Sequence, residues 1–202
     1  MVHYWKFKRK YISSLYNFIP ELNNKVSLVQ ANIVNLKVDG IVNAAQKSLL
    51  GGKGIDGCIH KAAGPELKNK CKKLPISSSG IRCDTGQCKV TDTTGCNLNC
   101  EYVFHTVGPD VSDTNLSEEH KQQLKDCYEN CLSNIPVLQY QKKHVQTIAF
   151  PCISTGIYNF DNREAAKIAI ETVRLWLEII TASLKTLSFA HGRIAISLFT
   201  KS

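Results

Sequence analysis

The sequence predicts an α/β domain in which helices flank a β-sheet, and three observations carry that prediction. Short segments rich in β-branched residues alternate with helical periodicity from residue 26 to about residue 180. The chain has 202 residues, of which 43% are apolar, so it is long enough for one domain with a buried core. Its apolar runs are far shorter than the roughly 20 residues of a membrane span, and no stretch has the pattern of a secretory signal. We therefore expect one domain and no membrane partner.

The predicted strands are short β-rich runs, each with a turn signal close by. Gly108-Pro109 ends one of them and Pro151 ends another, since proline lacks the N–H that a strand ladder needs. The predicted strands are residues 26–30, 40–43, 89–92, 102–107, 147–150, 186–190 and 194–199.

Apolar residues at helical spacing predict three helices. The first begins near Gly54 and ends at Gly64-Pro65. The second opens at Ser117, a candidate N-cap that two glutamates follow in the first turn. The third runs from about residue 162 to residue 180. The residues expected to face inward are Ile55, Cys58, Ile59 and Ala62 in the first helix, Leu124, Cys127, Tyr128 and Cys131 or Leu132 in the second, and Ala165, Ala166, Ala169, Val173, Trp176, Leu177 and Ile180 in the third.

The net charge of +8 is concentrated at the two ends of the chain. Residues 1–20 carry +4 and residues 181–202 carry +3, which leaves +1 for the body. A balanced body offers no broad basic face for phosphate backbones, so we expect no nucleic-acid partner. We expect residues 1–21 to form a basic N-terminal extension and residues 22–200 to form the domain, with an atypical part from about residue 183.

Nine cysteines without a secretory signal indicate reduced thiols, as in the cytosol or nucleus. A mitochondrial location stays open, because residues 1–19 are basic, aromatic and free of acids. Cys83, Cys88, Cys96 and Cys100 raise the question of a metal site. Their spacing is not a common zinc pattern, so we predict no metal site there.

Two junctions that follow predicted strands are rich in glycine and small polar residues. The first is residues 43–56, where three glycines fall within residues 51–54 and a helix follows, an arrangement that favours anion binding by backbone amides. The second is residues 151–160, where Ser154 and Thr155 offer hydroxyls for a second phosphate. Tyr158 and Phe160 offer flat surface for a sugar or base, unless both are core residues. A plain structural turn remains the alternative for the first junction.

Several motifs in order make the chain similar to macrodomains of the MacroD type. Residues 40–45 (GIVNAA) and 49–65 (LLGGKGIDGCIHKAAGP) carry the strongest part of this resemblance. Residues 83–86 (CDTG), 105–109 (HTVGP) and 152–158 (CISTGIY) match later blocks of that family. The resemblance covers about residues 22–180.

This resemblance implies a three-layer α/β/α fold with a central mixed sheet and a cleft for ADP-ribose. MacroD-like proteins remove mono-ADP-ribose from modified protein side chains and deacetylate O-acetyl-ADP-ribose, without a metal or redox cofactor. The expected partners are thus ADP-ribose and mono-ADP-ribosylated proteins, and we expect a monomer. The sequence leaves the target protein and its modified side chain open.

The resemblance also assigns site residues. Asp56 would orient or deprotonate the attacking water, and Gln46 occupies the position of a family asparagine near the distal ribose. His60 shares a helical face with Asp56, where a structural role bracing the loop is the favoured interpretation. The expected ligand-binding residues are Asn32, Ile33, Asn43, Gly51, Gly52, Lys53, Gly54, Ile55, Ser154, Thr155, Gly156, Ile157, Tyr158 and Phe160.

Four departures from the family pattern cluster at this site. Ala31-Asn32 replaces Gly-Asp at the adenine, Gln46 replaces asparagine, and Lys53 and Asn159 each replace a glycine. Glutamine carries its amide one methylene further, and a misplacement on the order of 1 Å can cost about a hundredfold in rate. The alternative to a hydrolase is therefore a module that binds ADP-ribose with weak or no turnover.

Overall fold

The computed structural model describes residues 4–5, 19–143, 145–183 and 193–198. In chain order they form strand β1 (Tyr4–Trp5), helix α1 (Pro20–Asn23), β2 (Val26–Gln30), β3 (Gly40–Ala44), α2 (Gly54–Ala63), α3 (Pro65–Lys72), β4 (Cys88–Asp92), β5 (Tyr102–Thr106), α4 (Glu118–Tyr140), β6 (Thr147–Phe150), α5 (Asn162–Ser183) and β7 (Arg193–Leu198). A short 3-10 turn, Ile33–Asn35, follows β2.

The seven strands form one mixed sheet in the order β1-β2-β7-β6-β3-β5-β4. The five inner strands, β2, β7, β6, β3 and β5, pair in parallel. The edge strands β1 and β4 are antiparallel to their neighbours. The predicted α/β fold with a central mixed sheet is confirmed. The expected domain start at residue 22 falls inside α1, and β1 lies within the predicted extension.

Alternating strand residues feed two cores, one on each face of the sheet. Ile41 and Val103 pack toward α2 and α3, while Val42 and Phe104 pack toward α4 and α5. This is the alternation of strands that are buried on both faces. The predicted layering of helix, sheet and helix is thereby confirmed.

Most of the predicted elements lie where the sequence indicated. Ser117 caps α4, since its Oγ accepts from the His120 N–H at 3.3 Å and the His120 ring accepts from the Ser117 N–H in return. The prediction that Ala166 faces inward is wrong, because the buried stripe of α5 follows Ala165, Ala169 and Val173 and leaves Ala166 exposed. The predicted strand at residues 186–190 lies outside the described residues.

Helix α3 and the 3-10 turn are elements that the sequence analysis did not predict. Gly64-Pro65 ends α2 but also starts α3, because Gly64 takes a φ of 81° and Pro65 opens the new helix at its first position. Leu67 and Cys71 of α3 are buried against the sheet. Within the part of the chain that the structure describes, no helix combines the length and hydropathy that a bilayer crossing requires.

This topology places the two predicted loops side by side. Parallel strands β3 and β6 are neighbours, so the loops that follow them leave the same edge of the sheet. The β3 loop leads to α2 on one face and the β6 loop leads to α5 on the other. Ligands of α/β sheets bind in the crevice that such diverging loops leave open.

Candidate functional site

Asp56 stands at the start of α2, beside the end of β3. Its side chain is 1% exposed, and its Oδ1 accepts a hydrogen bond from the Asn43 Nδ2 at 2.8 Å. The backbone N–H of Gln46 lies 3.4 Å from Oδ2. As the third residue of the helix, Asp56 also lies in the favourable field of the helix N-terminus. The predicted catalytic carboxylate is therefore held in place from two directions.

Asn43 supports Asp56 rather than lining an open surface. It is the fourth residue of β3 and is fully buried, and its Nδ2 also lies 3.2 Å from the His105 Nδ1. Asn43 was predicted to bind the ligand. The structure places it behind Asp56, with its Nδ2 on that carboxylate and its Oδ1 buried without a hydrogen-bond partner in the described part of the chain.

Gln46 and Asp56 both border the space beside Gly52. A Cβ placed on Gly52 would lie 2.7 Å from the Gln46 Cδ and 3.0 Å from the Asp56 Oδ2. The glutamine amide and the carboxylate therefore both adjoin this position. Gln46 itself is exposed. Only glycine at position 52 leaves room for both groups. The prediction that Gln46 and Asp56 share one site agrees with this geometry.

The β3 loop is packed tightly on the first turn of α2. A Cβ on Gly57 would collide with the Gly52 carbonyl oxygen, and Gly51, with a φ of 87°, rests on the His60 ring. Gly54, at a φ of 62°, also needs the left-handed region. Gly52, Lys53 and Gly54 are exposed. The loop can therefore offer its backbone to an anion at the helix N-terminus.

His60 braces this loop, which agrees with its predicted structural role. Its Nε2 lies 3.4 Å from the Asp56 Oδ1, outside hydrogen-bonding geometry. Burial lowers the pKa of His60, Lys68 lowers it further, and Asp56 opposes the shift. A neutral His60 does not form an ion pair with Asp56.

The β6 loop folds back on itself and packs on the β5 loop. The Ser154 carbonyl accepts from the Phe160 N–H at 3.0 Å, and a Cβ on Gly108 would collide with the Ser154 Oγ. That hydroxyl is buried and has no hydrogen-bond partner within the described part of the chain. Ser154 and Asn159 both take positive φ angles, 62° and 53°.

The two loops meet at the ligand side. The Ile157 Cδ1 lies 3.5 Å from the position of a Cβ on Gly54, and Ile157 is 59% exposed. Thr155 and Tyr158 are half-buried, and Gly156 is exposed. Burial raises the pKa of Tyr158, and the negative charges of Asp110 and Asp56 raise it further.

Three further predicted site residues lie away from Asp56 or inside the cores. Asn32 is exposed, and its Oδ1 accepts from the Val34 N–H at 3.3 Å, so it caps the 3-10 turn. Ile33 and Phe160 are 1% and 2% exposed and pack into opposite cores. Of the two interpretations of Phe160, the structure supports the core residue. Ile55 lies half-buried in the first turn of α2.

The family relationship follows from comparison with known proteins. The Macro domain family pattern matches residues 42–169. The chain belongs to the macro domain family. The human ADP-ribose glycohydrolase MACROD2 is 47% identical to it over 156 residues, which are 77% of this chain and 33% of that protein. The chain thus spans about a third of the length of this curated relative.

Solved macrodomains share the fold over most of both chains. The Oceanobacillus iheyensis macrodomain with ADP is 34% identical, with a TM-score of 0.72 over 87% of this chain and 84% of that one. The Trypanosoma brucei macrodomain in complex with ADP-ribose is 32% identical, with a TM-score of 0.69 over 89% of this chain and 66% of that one.

Two departures of the macrodomain from the family's glycines, Lys53 and Asn159, differ in backbone conformation. Lys53 has a φ of −97°, so this position does not need the left-handed region in which a side chain is disfavoured. Asn159 does lie in that region, and asparagine tolerates it better than most residues. Lys53 therefore adds an exposed cation beside the loop.

The four cysteines that raised the question of a metal site, Cys83, Cys88, Cys96 and Cys100, do not form a cluster with metal-ligand spacing. Cys88 lies 3.6 Å from Cys131 of α4 by their Sγ atoms, while Cys83 donates toward the His105 carbonyl. Within the described ranges, the one group with ligand spacing is His60, Cys71 and His105. Burial raises the pKa of the Cys71 thiol to about 12, and the His105 Nε2 already lies 3.0 Å from the Thr91 Oγ1. The donor set thus fits a hydrogen-bonded core better than a metal centre, which prefers thiolates.

Proposed function

We propose that this macrodomain binds ADP-ribose along the edge of its sheet and hydrolyses mono-ADP-ribosyl bonds on protein side chains. One observation carries the proposal: a buried carboxylate, held by an asparagine, stands at the crevice between two glycine-containing loops. The similarity to ADP-ribose glycohydrolases and to macrodomains solved with ADP-ribose supports it.

The spacing of the site residues suits an elongated ligand. Asn32 follows β2, and Asp56 adjoins the end of β3, three strands away in the sheet. Three strand spacings amount to roughly 14 Å. We place the adenine near Asn32, the pyrophosphate between the two loops and the distal ribose beside Asp56. The unpartnered Ser154 hydroxyl would donate to a phosphate oxygen.

Hydrolysis would use the Oδ2 of Asp56. The Oδ1 is engaged with Asn43 at 2.8 Å, whereas Oδ2 has a longer contact of 3.4 Å with the Gln46 backbone N–H, so Oδ2 would orient a water and accept its proton. The water oxygen bonds to the ribose carbon, and the bond from that carbon to the acceptor oxygen breaks. With O-acetyl-ADP-ribose, a water held in the same way would attack the ester carbonyl carbon, the bond from that carbon to the ribose oxygen would break, and the ribose oxygen would take up the proton as acetate leaves.

A reader that binds without turnover is the second candidate. The observation that favours it is that Asp56 is 1% exposed and that the Gln46 side-chain amide borders the same space beside Gly52 as the Asp56 Oδ2, where it would compete with a water. Both candidates predict binding, and only the first predicts hydrolysis.

Calorimetric titration with ADP-ribose and with AMP tests the binding step. We expect micromolar affinity for ADP-ribose and at least about tenfold weaker binding of AMP, which cannot reach the distal pocket. Ser154→Ala should weaken ADP-ribose binding by about threefold to tenfold, as for one hydrogen bond, while the exposed Ser112→Ala should not. Absence of heat and of thermal stabilisation at millimolar ADP-ribose would contradict the proposal.

A further inference from the structure

A buried polar chain lies behind Asp56 and spans three neighbouring strands. Thr91 is on β4, His105 on β5 and Asn43 on β3, and His105 is the register partner of Asn43. All three side chains are shielded from solvent, with Asn43 and His105 fully buried and Thr91 7% exposed. The atoms connect Thr91 Oγ1 to His105 Nε2 at 3.0 Å, His105 Nδ1 to Asn43 Nδ2 at 3.2 Å, and Asn43 Nδ2 to Asp56 Oδ1 at 2.8 Å.

The hydrogen positions in this chain follow from its ends. A carboxylate only accepts hydrogen bonds, so the Asn43 group that faces Asp56 is its NH2. The same NH2 faces the His105 Nδ1, which must therefore be an acceptor without a proton. Burial lowers the pKa of His105 to about 3, and the ring is neutral. Its single proton is thus on Nε2, where it is donated to the Thr91 hydroxyl.

In this arrangement, His105 influences the site without contacting the substrate, because it fixes the orientation of Asn43. With both N–H groups of its amide occupied, Asn43 is held in one orientation. If the His105 proton moved to Nδ1, it would face the Asn43 NH2, and the amide would turn away from Asp56. The second neighbour of Nε2, the Cys71 Sγ at 3.6 Å, is a weaker acceptor than the hydroxyl.

We propose that His105 is a positioning residue, which Thr91 keeps in its Nε2–H form so that Asn43 fixes the Asp56 carboxylate for catalysis. The Asp56 Oδ1 is then committed to Asn43, which leaves Oδ2, beside Gly52, for the attacking water. The catalytic part of this inference rests on the proposed hydrolase function, while the tautomer and the hydrogen bonds do not.

Substitutions at Thr91 test the chain without touching the ligand. Thr91→Val keeps the shape and removes the acceptor, and Thr91→Ser restores it. Thr93→Val is the matched control, since Thr93 is also buried and bonds the Cys100 carbonyl instead. We expect Thr91→Val to lower kcat at least about tenfold, with ADP-ribose affinity unchanged within about twofold. Thr91→Ser and Thr93→Val should keep the wild-type kcat.

NMR spectroscopy of the whole protein detects these hydrogen bonds independently of turnover. In wild type and in Thr93→Val, we expect a neutral His105 with its proton on Nε2 from pH 5 to pH 8 and slowly exchanging Asn43 side-chain N–H protons. Thr91→Val should show a mixed or inverted tautomer and faster exchange. A proton on Nδ1 in wild type, or a wild-type kcat in Thr91→Val, would overturn the inference. A wild type that binds but does not turn over would overturn the proposed hydrolase and the catalytic role, while these spectra still decide whether the hydrogen-bonded chain exists.

Discussion

Asp56 has two oxygens with different surroundings, and this difference organises the site. Oδ1 faces the protein and is bonded by Asn43, while Oδ2 faces Gly52 and the Gln46 amide. A base that must act on a bound substrate benefits from one fixed and one available oxygen. The nature of residue 46 then decides how open the second oxygen is.

Shortening Gln46 should therefore raise turnover. Gln46→Asn withdraws the amide by one methylene from the point that it shares with Asp56 Oδ2. We expect a several-fold increase in kcat and a change in ADP-ribose affinity of at most about tenfold, since one neutral hydrogen bond contributes about 0.5–1.5 kcal/mol. Steady-state hydrolysis and calorimetry of the two proteins measure this, with the exposed Gln87→Asn as control. An unchanged or lower kcat would show that glutamine is adapted to this site.

The residues of the site differ in how far the sequence reveals them. Asp56 and Asn43 were assigned to the site because their motifs resemble those of MacroD-type macrodomains. The HTVGP block that contains His105 also matched the family, but it indicated no role for the histidine, which sits inside the strand Tyr102–Thr106. Only the register of β3 with β5 shows that Asn43 lies opposite His105.

At the scale of elements, α2 and the β3 loop form one packed unit. Gly57 lies within the helix, and the Gly52 carbonyl oxygen occupies the space that a Cβ on Gly57 would need. The loop geometry thus depends on a helix residue that never faces the ligand. The sequence indicated the start of α2, but not this contact, because tight packing of backbone on backbone leaves no periodic pattern.

Gly57→Ala separates helix propensity from this packing. Alanine in a helix interior is normally favoured over glycine by about 1 kcal/mol. Here we expect it to reduce the free energy of unfolding by about 1–3 kcal/mol, the usual range for overpacking, and to weaken ADP-ribose binding because the loop must move. Urea unfolding and calorimetry measure both quantities, with Cys58→Ala as the neighbouring control. A more stable protein with unchanged affinity would refute the packing argument.

The order of the strands in the sheet was not predictable from local patterns either. The β-rich runs and turn signals predicted strands β2 to β6, but no single segment of the sequence specifies which strands become neighbours. Gly64-Pro65 illustrates the difficulty at one junction, because it ends α2 and starts α3 at once. A stop signal alone does not tell whether a loop or a second helix follows.

At the scale of the whole molecule, buried histidines link stability to pH. Burial lowers the pKa of His105 to about 3 and also lowers that of His60, whereas an unfolded histidine titrates near 6.5. Between these values the unfolded chain binds a proton that the folded chain refuses. Stability is therefore complete above about pH 6.5 and falls as the pH decreases below it.

Urea unfolding at a series of pH values tests this linkage. His105 alone should cost about 2 kcal/mol of unfolding free energy between pH 6.5 and pH 5.0, at about 1.4 kcal/mol per pH unit. As a control, His120→Gln in the half-buried capping box of α4 should keep the same slope. Unfolding free energies that stay level or rise on acidification would contradict the assignment of a buried neutral His105.

For the whole molecule, the proposed function depends on the Asp56 carboxylate at the start of α2 acting on ADP-ribosyl bonds. Loss of a residue that acts mainly in the transition state lowers turnover far more than binding. Asp56→Ala should therefore separate the two, and the exposed Asp84→Ala should change neither.

The most direct measurement is release of ADP-ribose from an auto-modified ADP-ribosyltransferase by the wild-type protein and by Asp56→Ala. The account predicts turnover by the wild type, a loss of at least about a hundredfold in Asp56→Ala, and ADP-ribose affinity within about tenfold in both. Equal turnover by the two proteins would contradict it. So would a wild type that binds ADP-ribose and releases none, which would leave the reader function in its place.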